Sequence, residues 1–131
     1  MANKITVFRG TAYPCLYYHT DAAGAAVSLA GKRVYFVVKP AVFDTDSADS
    51  SATIRKVITS HAGTIGGVTL SESGGITGFE LTDADTYAIP GKYHFVYLVE
   101  DIATGLTDPP SLYGDFIVKG IPSNAHVGNE V

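Results

Sequence analysis

The amino-acid sequence predicts an all-β protein, an immunoglobulin-like antiparallel β-sandwich of seven to nine strands. Apolar residues recur with period two in short runs, the spacing that places one side of a strand on a core. Clusters of Gly, Pro, Asp and Ser separate these runs at near-regular intervals. No stretch reads as a helix longer than one turn, and 131 residues suffice for one core.

Taken in order, Ile5 to Arg9 and Ala12 to His19 read as the first two strands. Asp21-Ala22-Ala23-Gly24 follows as a chain reversal, because the Asp side chain can bond nearby backbone and the Gly can take positive φ. Ala26 to Leu29 reads as a third short strand, and Ala30-Gly31-Lys32 as the turn into Lys32 to Lys39. Residues 44–52 are small, polar and acidic, and form a solvent-facing loop on composition.

Thr53 to Ser60 is the next strand; Gly63 to Gly67 is a hairpin turn ahead of Val68 to Leu70. Ser73-Gly74-Gly75 turns the chain into Gly75 to Leu81. Thr82, Asp83 and Asp85 supply caps for one helical turn, which Pro90-Gly91 ends. Gly91 to Asp101 is the longest strand, and Tyr113 to Lys119 the last. The organisation is one sandwich domain over 1–119 and a tail or arm over 120–131, where apolar residues thin out.

Alternation assigns Tyr93, Phe95, Tyr97 and Val99 to the core, with Val34, Phe36 and Val38 and with Gly114, Phe116 and Val118. The opposite faces of these three strands are not cleanly polar. Tyr35 and Val37 sit between Arg33 and Lys39, Val96 and Leu98 between His94 and Glu100, and Ile117 between Asp115 and Lys119. As neighbours in one sheet, the strands would merge Tyr35, Val37, Val96, Leu98 and Ile117 into an outward apolar patch with a charged rim, the composition of an interface. Burying about 300 to 500 Å² of it would contribute several kcal/mol at roughly 25 cal/mol/Å², before association costs. Cover by the chain's own loop or C-terminal arm is the competing expectation.

Composition narrows the function classes. Hydrophobic residues make up 46% and charged residues only 17%, against about 25% charged in typical soluble domains, which suits a life within an assembly. Net charge is −4 and the Lys and Arg residues form no basic run, so no nucleic-acid partner is expected. No apolar run approaches the roughly 20 residues of a membrane helix, and no membrane partner is expected. The single cysteine, Cys15, forbids an internal disulfide and points to synthesis in a reducing compartment.

The motifs of catalysis and metal binding are missing. Asp44, Asp46 and Asp49 resemble the start of a calcium loop, but its fifth position is Ala48 and its twelfth Arg55, where ligands are required. His19, His61, His94 and His126 lack zinc-site spacing and read as solvated side chains. No nucleophile elbow occurs, and the Gly63–Gly67 stretch lacks the Lys-Ser or Lys-Thr of a phosphate loop. No enzyme activity, cofactor or metal is expected. Eight tyrosines leave a sugar-binding module open as an alternative, with Tyr17, Tyr18 or Tyr113 stacking on glycans.

Ile5-Thr6-Val7-Phe8-Arg9-Gly10-Thr11, Asp21-Ala22-Ala23-Gly24, Val27-Ser28-Leu29-Ala30-Gly31-Lys32 and Val34-Tyr35-Phe36-Val37-Val38-Lys39 form a series with Leu81-Thr82-Asp83-Ala84-Asp85-Thr86, Pro90-Gly91-Lys92-Tyr93 and Gly114-Asp115-Phe116-Ile117-Val118-Lys119. This series resembles the immunoglobulin-like modules of phage baseplate and tail proteins, the N-terminal domain of the baseplate upper protein being the nearest pattern. The resemblance spans nearly the whole domain and rests on turns and strands, so it implies a sandwich that joins virion parts and carries no active site. Such a baseplate protein would continue into helices or a fibre, whereas this sequence stops soon after the module. The expected function is a non-enzymatic structural module of a phage virion, in the tail, baseplate or fibre attachment, with capsid decoration as the alternative. Its expected partners are other virion proteins and further copies of itself.

Overall fold

The computed structural model describes residues 3–40, 53–87, 90–108 and 112–120. Nine strands and one helical turn occur among the described residues: β1 (Asn3–Phe8), β2 (Tyr13–Tyr18), β3 (Lys32–Lys39), β4 (Ile54–Ile58), β5 (Thr64–Ile65), β6 (Val68–Thr69), β7 (Ile76–Leu81), α1 (Asp83–Thr86), β8 (Gly91–Asp101) and β9 (Leu112–Lys119). They build an all-β sandwich of immunoglobulin-like topology. One sheet has the order β1-β9-β8-β3-β4; the other pairs β2 with β7, and β5 and β6 form a small hairpin. The expected acidic loop 44–52 and all of the expected tail beyond Gly120 lie outside the described residues.

The sheet is mixed, not purely antiparallel. β1 runs parallel to β9, from Asn3 opposite Gly114 to Phe8 opposite Lys119, while β9-β8, β8-β3 and β3-β4 are antiparallel. Period-two alternation says which side of a strand is buried but nothing about its direction, so this pairing was invisible in the sequence.

The inner face follows the alternation. Val34, Phe36, Val38, Phe95, Tyr97, Val99, Phe116 and Val118 are all buried, joined by Val7, Cys15, Tyr17 and Leu81. Phe36 lies at the centre, its ring 4.9 Å from Tyr97, 5.0 Å from Phe79 and 6.0 Å from Phe95. Tyr17 stacks on Tyr97 at 4.9 Å, so an aromatic cluster bridges the two layers.

The segment expected as a strand over Ala26 to Leu29 is a loop. Ala26 makes an isolated bridge to Thr20, Val27 N–H donates to the His19 carbonyl and Leu29 N–H to the Glu72 carbonyl. Its backbone groups are satisfied by separate loops instead of one ladder, and Leu29 plugs the end of the core. Gly75 makes that junction possible. Its φ is +72°, and a Cβ there would fall within 2.8 Å of the His19 carbonyl and closer still to that of Val27.

Most expected turns form, but the one expected over Gly63 to Gly67 narrows to Gly66 and Gly67, because Thr64 and Ile65 pair with Thr69 and Val68 as β5. Asp21 Oδ1 accepts from Ala23 and Ala25 N–H, closing the 21–24 reversal. Gly66 and Gly67 take positive φ between β5 and β6. Thr82 caps α1 reciprocally: its hydroxyl accepts from Asp85 N–H, and the Asp85 carboxylate accepts from Thr82 N–H.

Candidate functional site: the outer face of the five-stranded sheet

The strand registers place the outward residues of the large sheet in rows across the strands. Val57, Tyr35 and Leu98 form one row, from β4 through β3 to β8. Arg55, Val37, Val96 and Tyr113 form the next, from β4 to β9. Beyond them lie Lys39, His94 and Asp115 on one side and Arg33 with Glu100 on the other. Two adjoining rows thus carry an apolar centre, with charged rows above and below.

Four of the five residues expected from the sequence, Tyr35, Val37, Val96 and Leu98, adjoin in this way. Ile117 does not: it pairs with Lys92 and Thr6, and the His94–Asp115 row separates it from Val96. Val57 and Tyr113 complete the patch instead, with 40% and 43% of their surface exposed. Tyr113 was legible as the strand neighbour of Asp115 but looked like a glycan platform; Val57 stood alone in its strand. Only register joins them to the patch.

Val37 corrects the expectation in another respect. It is buried, with 4% exposed, because a valine between Tyr35 and Lys39 on its own strand and beside Arg55 on the next is shorter than its neighbours. Tyr35, Val96 and Leu98 are half-buried. The surface offered is therefore made mainly by Tyr35, Val96, Leu98, Val57 and Tyr113, over a valine floor.

The rim is ordered by ion pairs and hydrogen bonds. Tyr35 hydroxyl donates to Glu100 Oε1 at 2.9 Å, and Arg33 Nε stands 3.4 Å from the same oxygen, in reach for ion pairing but without a hydrogen bond. Arg55 lays its guanidinium 5.5 Å from the centre of the Tyr35 ring. Lys92 and Asp115 pair at 3.5 Å. These contacts hold Tyr35 and Glu100 in one arrangement, which lowers the entropy that binding would otherwise cost.

Other expected features fall elsewhere. Tyr17 is buried at 2% exposure and cannot stack on a glycan; Tyr18 and Tyr113 are exposed but on the outer faces of opposite sheets, so they share no platform. His19 and His61 are buried, not solvated. His61 Nε2 donates to the Lys32 carbonyl at 2.9 Å, which leaves Nδ1 to accept from the Thr77 hydroxyl at 2.8 Å. Burial lowers the His19 pKa from its ordinary value, and Tyr17 hydroxyl meets its Nδ1 at 3.0 Å. Burial pushes the Cys15 thiol up to about 12, against a hydrogen bond with Tyr97 that acts the other way. Among the described residues no three His, Cys, Asp or Glu side chains gather so as to hold a metal ion.

No family model matches the chain, and no curated protein matches it. Among solved structures, it is similar to one from structure-based photo-crosslinking of the multimeric cell-adhesive interactions of VGSC beta subunits. Identity is 12%, 93% of each chain is covered and the TM-score is 0.37.

Proposed function

We propose that this chain is a non-enzymatic, structural protein-binding module that docks through the outer face of β4, β3, β8 and β9. One observation carries the reading: the rows Val57–Tyr35–Leu98 and Arg55–Val37–Val96–Tyr113 are apolar at adjoining positions of a face that in an antiparallel sheet is ordinarily solvated and polar. The charged rows on either side supply the polar rim of an interface. Its setting is a phage virion, in the tail, baseplate or fibre attachment. That placement rests on the run of turns and strands from Ile5 to Lys119 resembling baseplate and tail modules; decoration of a capsid would use the same face.

Incorporation of tagged chain into phage particles tests the reading. Val96→Asp with Leu98→Asp should abolish incorporation while the isolated domain melts within a few degrees of wild type. Equal incorporation of wild type and double variant would sink it.

A further inference from the structure

We infer that the occupant of this face is a second copy of the chain, packed face to face about a two-fold axis that lies parallel to the strands, over the gap between β3 and β8. The inference rests on the docking face proposed above and names its partner.

Self-complementarity of the rows supplies the argument. Within the order β1-β9-β8-β3-β4, the four strands from β9 to β4 are centred on the β8-β3 gap, and β1 lies outside them. A two-fold axis along that gap lays β3 on the β8 of the second copy, and β4 on its β9. Tyr35 then meets the partner's Leu98, and Val37 meets the partner's Val96, apolar on apolar. One row out, Arg33 meets the partner's Glu100, and the reverse, so opposite charges meet twice. On the flank Arg55 meets the ring of the partner's Tyr113, a cation over an aromatic face.

The alternative axis, across the strands and between the two apolar rows, would set Arg33 against the partner's Lys39. Like charges so placed disfavour it. Aligned sheets pack within about 30° of one another, so row-to-row correspondence holds at the centre, where these pairs are.

Charge reversal tests the pairing. Size-exclusion chromatography with light scattering should give wild type the mass of two chains. Arg33→Glu alone and Glu100→Arg alone should each dissociate at least about tenfold more readily, because each homodimer then faces like charges twice. An equimolar mixture should return to dimers, because every mixed pair has opposite charges at both places. The pair within each chain is broken in both variants and stays broken on mixing, so recovery cannot come from repaired folding. If either charge variant melts early, Arg55→Glu, at an exposed position, repeats the test on the Tyr113 flank and should also weaken the dimer.

A monomeric wild type at its highest soluble concentration overturns the inference, as does a dimeric wild type whose charge variants fail to recover on mixing. Loss of particle incorporation by Val96→Asp in a monomeric protein would leave the docking face standing with a different protein as its partner.

Discussion

Lys56 Nζ lies 2.8 Å from Asp85 Oδ2, tying strand β4 to the capped turn that precedes β8. Lys56 is on the inner side of its strand, opposite Phe36, so its charge needs a partner at the edge of the core. Burial raises the Asp85 pKa, but hydrogen bonds from Lys56 and Thr82 outweigh it and hold the carboxyl below the ordinary 3.8. A carboxylate so depressed contributes stability above its unfolded pKa and loses it as pH falls toward the folded one. Thermal melts from about pH 5 down to about pH 3 should show the wild type losing stability faster than Asp85→Asn or Lys56→Met. At neutral pH Asp85→Ala should cost about 1 kcal/mol through the lost cap, read from urea midpoints.

Gly75→Ala tests the junction of loops at the end of β2. The added methyl meets two carbonyl oxygens and sits at φ +72°, so a loss of at least about 1 to 3 kcal/mol is expected. Gly31, also at positive φ but with open space around its Cβ position, should lose less on the same change. Equal denaturation midpoints for the two variants would refute the crowding at Gly75.

Phe36 is the hub of the aromatic cluster, and Phe36→Ala should cost about 3 to 5 kcal/mol, a large part of the roughly 5 to 15 kcal/mol available to a domain. Tyr35→Ala, one residue away on the other face, should leave the melting temperature within a few degrees and act instead on association.

Cys15 should be inert in the folded protein. It is 3% exposed and its pKa stands at about 12, so a thiol reagent at pH 8 should react about a hundredfold or more slower than after denaturation. Rapid native labelling would show that the β2 edge opens readily.

Ile117 and Leu98 separate the patch drawn from strand faces from the one drawn by register. Leu98→Asp should abolish particle incorporation and self-association, whereas Ile117→Asp, beyond the His94–Asp115 row, should leave both nearly intact. Matching defects would mean that the binding surface extends across that row.

Much of this fold is local and therefore readable from residue order. Side chains alternate along a strand whatever its neighbours are, which is why Val34, Phe36, Val38, Phe95, Tyr97, Val99 and Phe116 were assignable to the core. Asp21 and Gly24, Gly66 and Gly67, and Thr82 with Asp85 shape their turns through bonds spanning a few residues, equally visible in the chain. Ala26 to Leu29 misled because its apolar content serves a plug, Leu29, held by Glu72 from far along the sequence.

Residue order by itself determined which side of each long strand is greasy, and that β3, β8 and β9 carry apolar residues on both. Tertiary structure decided which of those outward residues are neighbours. Strand register joins Val57 and Tyr113 to Tyr35, Val37, Val96 and Leu98, and puts a charged row before Ile117. It also turned β1 parallel to β9 and enclosed Tyr17 and His61. Each of these outcomes depends on contacts between residues distant in the chain, where the pleat period repeats alike in any register or direction.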